Sequence, residues 1–138
     1  MKHYVLGFVF NRDASSVLLV EKQKPDWMKG RLNGIGGKVE KDESFKDAME
    51  REGHEETHFR YRWKQAGIFI CPGGTVAVFK AFYPSTVIAY QQIETEPLGV
   101  HRTNDLPDTA MANLKWLIPL CLSNTKPFLI EQLTLGVE

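Results

Sequence analysis

Apolar and polar positions change their period twice along this chain, and the changes divide it into elements. Tyr4 to Phe10 (YVLGFVF) and Val17 to Glu21 (VLLVE) are short apolar runs rich in β-branched and aromatic residues, each predicting a strand. The intervening NRDASS reads as their turn. A loop rich in Lys, Pro and Gly follows, KQKPDWMKGRLNGIGG. The period then becomes helical: Phe45, Ala48 and Met49 stand at i, i+3 and i+4 and predict a helix from about Phe45 to Thr57. Ser44 is its N-cap, with Asp47 as a capping-box partner. Beyond the helix the period returns to two. YRWKQAGIFIC and TVAVFKAFY predict strands around PGG, a hairpin, and STVIAYQQIE predicts another strand. Asn113 is placed to cap a second helix, LKWLIPLCLS, with a kink at Pro119, and PFLIEQLTL predicts a closing strand. Strands with two helices far apart in sequence imply an α/β fold, a mixed sheet covered on both sides.

Length and charge narrow the function classes. The 138 residues suit one domain spanning 1–138, long enough to bury one core. Seventeen basic residues balance seventeen acidic ones, so no global charge calls for nucleic acid or a membrane surface as partner. Any charge that meets phosphate must be local. Cys71 and Cys121 each lie in an apolar stretch, as reduced core thiols do. The N-terminal MKHYVLGFVFNRD imitates a signal peptide, but no small-residue cleavage site follows and a strand accounts for it better. No segment approaches the roughly 20 apolar residues of a membrane span, and the expected location is the cytoplasm.

The helix holds the most informative chemistry. Continuing the stripe of Phe45, Ala48 and Met49 leads to Glu52, then to Glu55 and Glu56, so the face turns from hydrocarbon to carboxylate halfway along. Like charges at this spacing repel, and near a helix C-terminus the macrodipole opposes them as well. A solvated acidic face is the commoner fate of such a charge run; against it, Lys46, Glu50 and His54 already supply a polar outer face, so the other glutamates fall on the inward-turning side, where a metal site is the alternative. Hard oxygen donors without cysteine select Mg2+ or, as a substitute, Mn2+. Arg51 offers an ion-pair partner to Glu43 at the approach to the helix.

Gly37, Glu43, Arg51, Glu52, Glu55 and Glu56 stand as G-x5-E-x7-R-E-x-x-E-E, which resembles the signature of the Nudix hydrolases, enzymes that cleave nucleoside diphosphates linked to another moiety. The resemblance implies a Nudix-type α/β/α sandwich with a central mixed sheet. It implies Glu52 and Glu56 as principal metal ligands, Glu55 as ligand or base, the Gly36 carbonyl as a further ligand, and Glu43 with Arg51 as a supporting pair. A distal acidic ligand would come from QQIETEPLGV, Glu96 being favoured over Glu94. Two positions depart from the pattern: Gly53 replaces an aliphatic residue, and His58 replaces the usual glycine.

The same stretch contains a rival motif, His54-Glu55-Glu56-Thr57-His58, or HExxH, the zinc-protease arrangement. Catalytic zinc requires a third protein ligand. Tyr61 and Lys64 occupy the positions where a metzincin has glycine and histidine, and no Asp or Glu occurs between Glu56 and Glu94.

RLNGIGGKVE resembles the W-N-G-x-G-G-K segment of MutT-type and oxidised-purine nucleoside triphosphatases, with leucine in place of tryptophan. The resemblance gives Asn33 to the base, while Asn-Gly alone is equally a turn pair. Lys22, Lys24, Lys29 and Arg31 crowd this loop and, with Gly37 and Lys38, are candidates to meet a triphosphate, although each basic residue alone reads first as solvated. Asn113, Trp27 and Trp116 are further candidates to contact the base, although Trp116 in its apolar run reads first as core. The reading is a Mg2+-dependent nucleoside triphosphate pyrophosphohydrolase acting on a small-molecule nucleotide, purines being favoured and oxidised ones such as 8-oxo-dGTP included, as a monomer or homodimer. The alternatives are an ADP-ribose or nucleotide-sugar pyrophosphatase and a nucleotide-sensing module without turnover. Pro72 falls short of the position where ADP-ribose hydrolases carry proline, and GGTVAV lacks the tyrosine of dinucleoside polyphosphate hydrolases.

Overall fold

The structure is a computed structural model that describes residues 2–123 and 126–132. Among these residues eight strands form one mixed sheet: β1 (Lys2–Phe10), β2 (Ser16–Glu21), β3 (Leu32–Asn33), β4 (Ile35–Lys38), β5 (Lys64–Cys71), β6 (Gly74–Phe82), β7 (Leu98–Arg102) and β8 (Phe128–Glu131). The helices are α1 (Phe45–Thr57) and α2 (Leu114–Ser123). The main strand order is β3-β2-β1-β6-β5-β8, with β4 also pairing β1 and β7 also pairing β2. β1 runs parallel to β6 along its whole length, from Lys2 opposite Gly74 to Phe10 opposite Phe82. β5 and β8 are also parallel, and the remaining pairs are antiparallel.

The near-continuous apolar run of β1 follows from its central place, because both of its faces are covered. Leu6, Phe8 and Phe10 meet Leu114, Leu117, Ile118 and Cys121 of α2 on one side. Val5 and Val9 join Ala48 and Met49 of α1 on the other. The expected α/β/α sandwich is the observed fold. Among the described residues no helix is long and apolar enough to cross a membrane.

α1 is capped as its sequence predicts: the Ser44 hydroxyl accepts the Asp47 N–H at 3.0 Å. It also ends in the left-handed conformation without glycine. His58 takes φ 63° and donates its N–H to the His54 carbonyl. Gly53, the other departure, has a packing reason. A Cβ there would stand 3.0 Å from the Trp63 indole nitrogen, and one at Gly7 would meet the same indole and Met49 at 2.7 Å. Trp63 thus fits a slot between α1 and β1 that two glycines keep open. Gly53→Leu is expected to destabilise the fold by about 2 kcal/mol or more, since overpacking outweighs the helix propensity gained. Urea unfolding measures this, and a neutral or stabilising result would show that Trp63 moves aside freely.

Three expectations need correction. STVIAYQQIE is not a strand: Ile88 is buried, Tyr61 Oη donates to the Ala89 carbonyl, and the Gln91 N–H donates to the Thr57 carbonyl. This segment lies against the end of α1, and its hydrogen bonds go there instead of to a sheet neighbour. The GRLNGIGG segment is not only loop, because β3 and β4 lie within it. Gly36 must be glycine because a Cβ would strike the Val5 carbonyl. Asn113 accepts the Leu117 N–H through its backbone carbonyl, but its side chain does not cap α2. β7 went unanticipated, since its short sequence LGVHR has a weak pattern. The predicted closing strand survives as β8, and residues 133–135 of it lie outside the described residues.

Candidate active site

The C-terminal half of α1, the loop after β2 and the loop before β7 enclose a cleft of about 250 Å³. Glu52, Glu55 and Glu56 enter from the helix, Lys22 and Lys24 from the first loop, and Glu94, Thr95 and Glu96 from the second, over Val20 and Leu98. The structure therefore brings together carboxylates more than 35 positions apart in sequence.

Arg51 orients the helical side. Its Nε and Nη2 donate to the two oxygens of Glu43 at 2.7 and 3.0 Å, and Nη2 also donates to the Lys38 carbonyl at 3.1 Å. Nη1 stands 3.4 Å from Glu55 and 3.6 Å from Glu52. These hydrogen bonds hold the Glu43 carboxyl below its usual range, as Glu43 raises the guanidinium above its own. Gly37 completes the packing, because a Cβ there would run into the Glu52 carboxylate.

Burial raises the affinity of Glu52 for a proton, with Arg51 opposing it. For Glu56 burial is stronger and pushes the carboxyl up to about 8, and Glu52, Glu96 and Glu94 add repulsion that Lys22 offsets in part. Glu56 Oε2 is buried and has no hydrogen-bond partner among the described residues. An orphaned buried oxygen among like charges fits a divalent cation, which would satisfy the lone pair and the charge together. The donor set is all oxygen, as hard ions require. Among the described residues no three such side chains already converge as a finished metal cage.

Glu96 differs from the helical glutamates. Burial pushes its carboxyl up, but the Gln23 N–H, the Lys22 ammonium and the Lys24 N–H outweigh this and hold it low. Sequence reasoning missed Gln92, which closes the same loop. Its amide donates to the Glu94 and Glu96 carbonyls at 2.8 and 2.9 Å and accepts the Leu98 N–H at 2.6 Å. The second glutamine of Gln91-Gln92, in a polar stretch, carries no signal that would have found it.

Asn33, Asn113 and Trp116 lie outside this cleft's lining. β3 is stitched to the approach to α2, with the Leu32 N–H donating to Thr109 O and the Met111 N–H to Leu32 O. Asn33 Oδ1 accepts the Gly34 N–H, and Asn113 Oδ1 is buried without a partner among the described residues. Trp116 is 39% exposed and packs edge-on to Phe69, so it is not the core residue its apolar run suggests. Trp27 is exposed on the short helical turn Asp26–Met28. Among the described residues the rival histidines join no group of three side chains that could hold a metal ion. His58 lies past the last helical turn, where Nδ1 contacts Gln91 Oε1, and Glu55 faces Arg51.

The family model described as NUDIX domain matches residues 1–116. None of the curated proteins matches the chain. Similar solved structures include a hydrolase of the NUDIX family from Clostridium perfringens, 16% identical with a TM-score of 0.71, covering 88% of this chain and 95% of that one. A MutT structure from work on Aliivibrio salmonicida and Vibrio cholerae is 22% identical with a TM-score of 0.66, covering 89% and 97%. The NUDIX domain of Shewanella oneidensis NrtR, complexed with ADP ribose, is 20% identical with a TM-score of 0.71, covering 87% and 85%.

Proposed function

The chain belongs to the NUDIX domain family, hydrolases that act on nucleoside diphosphate derivatives with divalent metal ions, and on that premise we propose that it is a Mg2+-dependent nucleoside triphosphate pyrophosphohydrolase. It converts a triphosphate to monophosphate and diphosphate. The favoured substrates are purine nucleotides, oxidised ones such as 8-oxo-dGTP among them. The observation that carries this reading is the unpartnered, buried Glu56 oxygen beside a cleft that Glu52, Glu55, Lys22 and Lys24 also line.

Glu52, Glu56 and the Gly36 carbonyl would hold the ion, with Glu55 as ligand or base and one further carboxylate from the Glu94–Glu96 loop. When bound, the ion supplies a Lewis acid that polarises phosphate oxygens and acidifies water. Lys22 and Lys24 face the carboxylates across the cleft, where they neutralise the substrate's phosphates. Gly37 and Lys38 pass beneath, tied to Arg51 and Glu52. A glutamate beside the attacked phosphorus accepts the proton of the incoming water. The base lies towards α2. Asn113 Oδ1 requires a donor, and a purine N–H is one; Asn33 keeps its amide NH2 to offer, and Trp116 presents a half-exposed ring for stacking. We place this enzyme in the cytoplasm, acting on free nucleotides as a monomer or homodimer.

The similarity to an ADP-ribose-bound domain supports a second reading, cleavage of ADP-ribose. Product analysis separates the two. Diphosphate release from purine triphosphates with Mg2+, abolished by chelator, is the expected result. AMP and ribose phosphate from ADP-ribose alone would favour the second reading, and tight binding without turnover would leave a nucleotide sensor.

A further inference from the structure

We propose that Glu96 is a positioning residue that holds Lys22 against the substrate's phosphates, and that it is not a metal ligand. The inference rests on the nucleotide hydrolase reading and assigns a role within its site. Both oxygens of Glu96 are engaged. Oε1 accepts from the Lys22 ammonium at 3.0 Å, while Oε2 accepts the N–H of Gln23 and, at 3.2 Å, that of Lys24. A carboxylate has about four lone-pair sites, and three donors leave little room for a cation. The pair is largely shielded, with side chains 19% and 18% exposed, so the contact is stronger than a surface ion pair.

The supporting wall is stiff. Gln92 closes the loop carrying Glu96, and the Glu21 N–H donates to the Pro97 carbonyl beneath it. Glu96 thereby reaches across 74 positions to fasten the loop after β2. Lys22 is held where its charge acts on Glu52 and Glu56, across the space a diphosphate would fill. An ammonium has three N–H donors, so one on Glu96 leaves two for phosphate oxygens. A flexible lysine would lose its freedom on binding substrate; here the protein has already restricted it.

Glu96→Gln, Lys22→Met and the double variant test this, read by Mn2+ titration of the nucleotide-free protein and by steady-state kinetics. Glu96→Gln should leave the Mn2+ Kd within about twofold and raise KM about tenfold with a smaller change in kcat. The double variant should be no worse than Lys22→Met alone, since Glu96 acts through Lys22. An Mn2+ Kd weakened by about tenfold or more in Glu96→Gln, or additive losses in the double variant, would overturn the proposal. If the wild type hydrolyses no nucleotide, the hydrolase reading fails by itself. The Mn2+ titration and the nucleotide Kd of the same three variants then decide the role of Glu96 by the same criteria. Should Glu96→Gln fold poorly, Lys22→Gln removes the same ion pair from the other side and should also leave Mn2+ affinity intact while weakening nucleotide binding.

Discussion

Glu56→Gln should lower kcat with Mg2+ by about 10²–10⁴-fold and at the same time stabilise the metal-free protein at alkaline pH. The two effects share a cause. Glu56 carries a buried oxygen without a hydrogen-bond partner among the described residues, and in the metal-free protein Lys22 offsets its charge only in part. Below pH 4.5 the group is protonated in the folded and unfolded chains alike and adds nothing to stability. Between pH 4.5 and about 8 the unfolded chain releases the proton while the folded chain retains it, so stability falls as pH rises. Above that window the full penalty applies, on the order of a few kcal/mol. The amide has no charge to bury, so the difference in melting temperature between variant and wild type in chelator should widen across this window. Added Mg2+ should raise the wild type and leave the variant nearly unchanged. A difference that stays flat with pH would mean that Glu56 is not held in a dry, uncompensated position.

Arg51→Ala should be the most damaging single change to stability outside the core. The guanidinium binds both oxygens of Glu43 and one backbone carbonyl, and it balances Glu52 and Glu55. Its removal leaves Glu43 with the Glu40 N–H as its remaining donor and takes a neighbouring cation from Glu40, Glu52 and Glu55. Breaking a fully buried pair costs about 3–5 kcal/mol, and partial solvent screening of Arg51 reduces this to about 2–3. The melting temperature should fall by about 10 °C. Arg51→Lys should recover only part of the loss, because an ammonium cannot match the two-pronged contact. Glu43→Ala added to Arg51→Ala should cost less than the separate losses sum to. Additive losses by urea denaturation would show that the pair is not coupled as its geometry indicates.

Helix α1 was legible from one end to the other. Ser44 caps it, Ala48 and Met49 bury, and Glu52, Glu55 and Glu56 continue on the side that opens to the cleft. Each of these features is set within one or two turns, where side-chain spacing translates directly into a shared face. β1 and β2 were legible for a similar reason, since unbroken apolar runs mark strands covered on both faces. STVIAYQQIE misled because its apolar residues serve contacts with the end of α1 and not a sheet. β4 was hidden by glycines that the close approach of β1 demands.

By itself the sequence determined the two-layered burial of the sheet, the capped acidic helix and the box of residues that marks the family. These depend on neighbours a few positions apart, and local periodicity records them. Only the tertiary structure decided that Glu96 is bound to Lys22, that Gln92 stiffens their wall, that Trp63 explains Gly53, and that Asn113 keeps an unsatisfied oxygen. The reason is physical: hydrogen bonds and packing across tens of residues depend on how the sheet brings loops together. No local pattern encodes that distance.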